Sequence, residues 1–277
     1  MSRLAVTGYA SLDYVLALSG EVVPDRTTHA CRDTSAWPRP GGCPTYIAMA
    51  AAAAGQVAAP VMWLGDDAEG RRLMESLSGL GVDCKGIALM PGTRSPAAVM
   101  AYQPDAGCAC LYDPGPAGQE SLSASQRALI AGASHLCISV GPGHLIDEIV
   151  ALRTPSTRLY WAVKDDPACF SSERRRVLAR EADVIFCSAA ERALIGPTRA
   201  TIVETRGASR VTIETDGQQS QVPVSPVQAN DTTGAGDTFA GAFIAAQMAG
   251  KTVPERAAEE GIEAARRLLT SRQRTSR

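Results

Sequence analysis

The sequence predicts an α/β fold, with a mostly parallel central sheet, helices on both faces and two β-rich excursions. Three observations predict it. Short apolar runs bounded by turn residues alternate with helix-period segments, the rhythm of parallel strands joined by crossover helices. The chain has 277 residues, 45% of them hydrophobic, enough to fill one large domain or two small ones. No internal repeat or low-complexity linker divides it, so residues 1–277 read as one domain.

The elements follow in order. Arg3–Gly8 is a first strand, and Tyr46–Ala54 a helix closed by Gly55. Val61–Leu64 is a second strand. Asp66-Asp67 then caps a helix reaching about Leu80. Leu136–Val140, Arg158–Val163, Val184–Cys187 and Thr201–Glu204 are short apolar strands. Helical stretches at Ser123–Ala131, Leu145–Leu152 and Ser171–Arg180 separate them. Arg210–Glu214 and Gln221–Val224 flank Asp216-Gly217, a hairpin signal. Helices Thr238–Ala249 and Pro254–Leu269 close the chain before a polar tail. Two segments, 13–37 and 93–112, break the rhythm with proline-bearing or strand-like runs and read as β-rich excursions from the core.

Composition excludes several functions. A net charge of −2 implies neither nucleic acid nor an anionic membrane as partner. Arg174-Arg175-Arg176 reads as a solvated helix face. No apolar run approaches the ~20 residues that span a bilayer. No signal-peptide pattern opens the chain. The 8 cysteines show neither C-x-x-C nor zinc-like spacing. Reduced thiols in a cytoplasmic protein are the expectation. Gly141-Pro142-Gly143 reads as a tight connection, and no Walker A motif occurs.

Most of the chemistry lies in Asn230-Asp231-Thr232-Thr233-Gly234-Ala235-Gly236-Asp237-Thr238, between an extended segment (Gln221 to Val227) and an apolar helical one (Phe239 to Ala249). A glycine-bearing turn that opens a helix leaves N–H groups unpaired and adds the dipole's positive end, which together hold an anion. Asp237, in the first helical turn, either balances the helix start or takes a proton from a hydroxyl beside a bound phosphate. Anion cradle plus base is the minimum for phosphoryl transfer to an alcohol. The unbroken stretch Asp231–Phe239 resembles the second signature of the ribokinase-like carbohydrate kinases (the PfkB family), D-T-T-G-A-G-D-T-F.

That resemblance implies further roles, on residues that occur in the family's order. Asp13, in Gly8-Tyr9-Ala10-Ser11-Leu12-Asp13, is similar to an early aspartate that accepts hydrogen bonds from substrate hydroxyls; read locally, it is equally a solvated loop residue. Gly41-Gly42-Cys43-Pro44-Thr45-Tyr46 resembles the substrate-binding G-G-x-x-x-N, with Tyr46 in place of the amide. Gly65-Asp66-Asp67-Ala68-Glu69-Gly70 resembles a structural G-D-D-x-x-G. Cys187-Ser188-Ala189-Ala190-Glu191 resembles N-x-x-E, whose glutamate organises Mg²⁺ and phosphate through water; Ser188 replaces the asparagine. Thr205-Arg206-Gly207 resembles the nucleotide loop T-x-G-x-x-G, with Arg210 at the last glycine. Arg206 either meets a phosphate or is a solvated turn residue. Lys164, at a central strand end beside Asp165, is a candidate phosphate contact. Asp231 suits either a helix cap or, as the resemblance implies, a monovalent cation (K⁺) held with neighbouring carbonyls.

The implied activity is an ATP- and Mg²⁺-dependent small-molecule kinase. Asp237 takes the proton of a substrate hydroxyl, while the turn at Gly234 presents the N–H groups of Ala235, Gly236 and Asp237, which stabilise the transferring phosphoryl. A sugar is the expected substrate, because Thr93–Ala117 with its Asp105-Ala106-Gly107 turn resembles sugar-kinase members. A nucleoside is the alternative. The replacements at Tyr46, Ser188 and Arg210 also fit a ligand-binding regulator that kept the fold. The resemblance also implies a small β lid over the substrate, arising from segments 13–37 and 93–112, with edges through which a homodimer can pair.

Overall fold

A computed structural model describes the chain except Met1 and positions 33–36, 105–106, 230, 252 and 276–277. The turn expected at Asp105-Ala106 and the leading Asn230 lie outside the described residues. In chain order the first elements are β1 (Leu4–Thr7), β2 (Ser11–Leu18), β3 (Ala30–Arg32), β4 (Arg39–Gly41), α1 (Cys43–Ala53), β5 (Ala58–Gly65) and α2 (Ala68–Gly79). Then come β6 (Ile87–Met90), β7 (Ala97–Tyr102), β8 (Cys108–Asp113), α3 (Ala124–Ala131), β9 (His135–Ile138), α4 (Ile146–Leu152) and β10 (Arg158–Ala162). The chain closes with α5 (Ser172–Glu181), β11 (Val184–Ser188), β12 (Thr201–Thr205), β13 (Arg210–Thr215), β14 (Gln218–Pro223), α6 (Ala235–Met248) and α7 (Pro254–Thr275).

The main sheet has nine strands in the order β14-β13-β12-β11-β10-β9-β1-β5-β6. From β6 to β12 every neighbour pair is parallel, and the β13–β14 hairpin adds an antiparallel edge. Strand alternation sorts its side chains onto two faces. Leu4, Val6, Tyr160 and Ala162 pack with Ile47, Leu73, Phe239 and Phe243, so α1, α2, α6 and α7 cover one face. Ala5, Leu136, Leu159 and Trp161 pack with Leu129, Ile130, Ile149 and Leu178, so α3, α4 and α5 cover the other. Both faces buried explains why these strands are continuously apolar rather than alternating. The α/β architecture expected from the sequence is the one observed.

A second sheet has the order β3-β2-β7-β8, with β4 on β2. Its strands lie within and beside segments 13–37 and 93–112. Lys164, Ser188 and Thr205 sit at the carboxyl ends of parallel strands, the usual ligand edge of an open α/β sheet.

Four expectations are corrected. Asp13 is not a solvated loop residue; it lies in β2 and is 3% exposed. Helix α6 starts at Ala235 rather than Thr238, because Gly234 takes a left-handed conformation (φ 73°) and its carbonyl accepts from Thr238 N–H at 2.8 Å. Glycine is needed there, since a Cβ would stand 2.5 Å from the Tyr46 ring. Helix α7 runs to Thr275, where a polar tail was expected, and its last turns carry Arg272 back to the Asp231 strap. Strands β4 and β6 have no counterpart in the sequence reading. Each is short, and neighbouring strands define it rather than local pattern.

Candidate active site

The first turn of α6 is the anion turn. Asp237 is its third residue and part-exposed. Ala235 N–H, expected in the cradle, instead donates to Thr232 O at 3.1 Å. Gly236 and Asp237 carry N–H groups with no acceptor among the described residues, as position in a first helical turn dictates. A Cβ on Gly236 would meet nothing within 4 Å, so the backbone there is open to a ligand.

One pocket of about 80 Å³ brings together Lys164, Ser188, Glu191, Thr205, Gly236 and Asp237. These were separate expectations, scattered along the second half of the sequence. Ser188 N–H donates to Glu191 Oε2 at 2.8 Å, and Glu191 N–H donates to Ser188 Oγ at 3.3 Å. This reciprocal pair fixes the carboxylate at the strand end. Lys164 Nζ lies 3.8 Å from Glu191 Oε1. The Asp237 carboxylate, more than any other group, raises the Lys164 ammonium above the ordinary lysine value. Lys164 is therefore cationic throughout the physiological range. Cys43, first in α1, lies beside Asp237; burial and then that carboxylate push its thiol well up, so it stays a neutral donor.

An adjoining pocket of about 290 Å³ shares Thr205, Gly236 and Phe239 and is walled by Val211, Val224, Val227 and Ile262. Gly207 (φ 56°) lines it too. Thr205 Oγ1 donates to Cys187 O at 3.4 Å. Arg206 is engaged with Glu204, Nε to Oε1 at 2.6 Å.

On the other side of the turn, Asp13 pairs in register with Arg39 across β2 and β4. Burial raises the Asp13 carboxyl above its ordinary range, opposed by the Ser11 hydroxyl, which donates to Oδ1 at 2.5 Å, and by Arg39. A Cβ on Gly41 would overlap the Asp13 carboxylate. Gly42 has φ 90°, and a Cβ there would collide with Tyr9 O. Gly41→Ala should therefore displace Asp13 and raise the acceptor's KM by at least about tenfold with kcat less affected, read from initial rates. Tyr46 is 3% exposed; its ring lies under Gly234 and its hydroxyl accepts from Arg272 Nη2 at 3.2 Å. Its one hydroxyl is thus engaged within the protein.

Asp231 is the hub of this side. Arg39 Nη1 donates to Oδ2 at 2.5 Å, and Arg272 Nη1 lies 3.3 Å from the same oxygen. Oδ1 accepts from Tyr102 Oη at 2.7 Å and from Thr233 N–H at 3.0 Å. The site expected for a free monovalent cation thus already holds two guanidinia on one carboxylate, with the Asp13 carboxyl also acting on both.

Burial opposes ionisation of Asp231, yet Arg39, Arg272 and Tyr102 hold its pKa down at about 2. A folded pKa below the unfolded one stabilises the protein above about pH 4 and loses that stabilisation as pH falls through about 2. The depression corresponds to roughly 2.5 kcal/mol. Thermal melts from pH 6 to 2.5 should show the gap between wild type and Asp231→Asn narrowing across that window.

Sequence reading missed Arg39, Tyr102 and Arg272. Arg39 reaches a partner 192 residues away, and Tyr102 one 129 away. No local spacing signals such contacts. Cys43 had only a position in the Gly41–Tyr46 stretch.

An anion turn with a carboxylate in its first helical turn, beside a pocket with apolar walls, is the equipment of an enzyme that moves a phosphoryl group to a hydroxyl. Comparison with known proteins then supplies the family. The sequence profile of the pfkB family carbohydrate kinases matches residues 1–158 and 171–274, and the chain belongs to that family. Fructoselysine 6-kinase of Escherichia coli (strain K12) is 26% identical over 210 residues, 72% of this chain and 78% of that protein. Fructokinase-1 of Zea mays is 27% identical over 236 residues, 74% of this chain and 72% of that protein. The ribokinase of Cryptococcus neoformans var. grubii serotype A, solved with ADP, has the same fold. Its TM-score is 0.77 at 20% identity, over 96% of this chain and 93% of that one. No helix among the described residues is long and apolar enough to cross a membrane.

Proposed function

We propose that this kinase transfers the γ-phosphoryl group of ATP to a hydroxyl of a sugar or sugar-like substrate. The observation that carries the reading is the place of Asp237, beside two unpaired N–H groups and in one pocket with Lys164 and Glu191. Asp237 accepts the hydroxyl proton. The freed oxygen bonds to the γ-phosphorus, the bond from that phosphorus to the β–γ bridging oxygen breaks, and ADP leaves. Gly236 and Asp237 N–H groups and the Lys164 ammonium stabilise charge on the phosphoryl oxygens. The apolar pocket takes the adenine, with Thr205 and Gly207 toward the phosphates.

No cluster of three or more His, Cys, Asp or Glu able to hold a metal occurs among the described residues. A single carboxylate held in place at the strand end beside Lys164 and Asp237 fits Mg²⁺ arriving with the nucleotide, since Mg²⁺ keeps waters and phosphate ligands and needs one carboxylate behind them. Glu191 is that carboxylate, and the ion neutralises phosphate charge when bound. Asp13, Gly41 and Gly42 receive the acceptor's hydroxyls, and the second sheet is the lid over them.

The test is ATP consumption with Mg²⁺ across a panel of sugars, sugar amines and nucleosides. Turnover with a sugar or sugar derivative supports the reading. Turnover with nucleosides alone replaces the substrate class, and tight binding of one compound without turnover favours a regulator.

A further inference from the structure

Asp231 leads into the anion turn through a strap, Asp231-Thr232-Thr233, whose first and last carbonyls accept hydrogen bonds from one side chain. Arg272, from the last turns of α7, donates through Nη1 to Thr233 O at 2.6 Å and to Asp231 O at 3.3 Å. The same nitrogen is 3.3 Å from Asp231 Oδ2, and Nη2 donates to the Tyr46 hydroxyl at 3.2 Å. The guanidinium also lies 5.8 Å from the centre of the Tyr46 ring, the ring that underlies Gly234. Its side chain is 14% exposed. A cation bound by two main-chain carbonyls, a carboxylate and a hydroxyl is coordinated as a potassium ion would be.

We propose that Arg272 is a tethered cation that positions the anion turn, so that this enzyme works without a free monovalent cation. The ligand set is an oxygen cage of the kind a monovalent cation takes, and a side chain fills it. With Arg39 also on Asp231, a second cation would meet two guanidinia at this carboxylate. The guanidinium holds the strap, the strap sets Gly234, and Gly234 sets the N–H groups of Gly236 and Asp237. Arg272 touches neither substrate nor reacting atoms; it acts through the turn.

The proposal rests on the kinase reading for its rate measurements and has one readout that does not. In buffers whose only other cation is tetramethylammonium, wild-type kcat should change less than about twofold on adding KCl. Arg272→Met, which empties the cage and leaves Asp231 charged, should lose roughly 10- to 100-fold in kcat with a smaller change in KM. Added K⁺ should restore part of that loss, and Na⁺ or Li⁺ less. Arg272→Lys keeps a tethered charge and should retain most of the rate without K⁺. Independently of turnover, KCl should raise the melting temperature of Arg272→Met above that in equal NaCl, while wild type shows no such preference. Wild-type activity that climbs severalfold with K⁺ would overturn the proposal. So would an Arg272→Met protein with normal kcat, or one whose melting is indifferent to K⁺. If Arg272→Met does not fold, the wild-type K⁺ titration and the Arg272→Lys rates decide. If no acceptor is ever phosphorylated, the melting comparison still decides, separating failure of this proposal from failure of the kinase reading.

Discussion

Asp237→Asn folds normally and loses roughly 10²–10⁴-fold in kcat, with KM for ATP nearly unchanged. The amide keeps the size of the side chain and the start of α6, so the N–H groups of Gly236 and of the substituted residue still face a phosphate. What it loses is a basic oxygen. An amide cannot take the acceptor's proton, so the attacking atom stays a neutral hydroxyl. Its effect on Lys164 gives a second signature. Asp237 is the main cause of the raised Lys164 ammonium, so Asp237→Asn should lower the Lys164 pKa, visible by NMR of a labelled lysine. Steady-state kinetics with the best acceptor, checked against a thermal melt, measure the first effect. Near-normal turnover in a well-folded variant would remove Asp237 from the base role.

Arg39→Met should cost about 3 kcal/mol of stability and lower the melting temperature by on the order of 6 °C. The Arg39 side chain is 8% exposed and that of Asp231 3%, so the change strands a carboxylate away from water. Arg272 partly compensates, which holds the loss at the lower end for a buried pair. The double variant Arg39→Met/Asp231→Asn removes both charges and should lose less than the sum of the singles; additive losses would mean the pair is not coupled. Kinetics should respond too. Arg39 is one of the groups that restrain the upward shift of Asp13. Without it Asp13 holds its proton to higher pH, so the acceptor's KM should rise most at the acidic end of a pH series.

The legible part of the protein was its local chemistry. Alternating apolar runs and helical segments predicted a parallel sheet covered on both faces because each strand buries both of its sides. Asp231–Phe239 announced an anion turn because glycine conformation and a first-turn carboxylate are short-range facts. Glu191 and Ser188 lie three residues apart, and their reciprocal hydrogen bonds follow from that spacing. Boundaries slipped where tertiary contacts set them: Gly234 starts α6 three residues early against the Tyr46 ring, and α7 outlasts its apolar pattern where Arg272 is anchored.

The sequence by itself determined the fold class, the phosphate-handling turn and the likeness to a kinase family, because those depend on residue type at near neighbours. Only the tertiary structure decided what surrounds that turn. Arg39, Tyr102 and Arg272 come from three distant segments to one carboxylate, and nothing in their local context marks them. Buried charges are compensated in space rather than along the chain. The electrostatics of this site were therefore invisible until the sheet, the second sheet and the last helix met at Asp231.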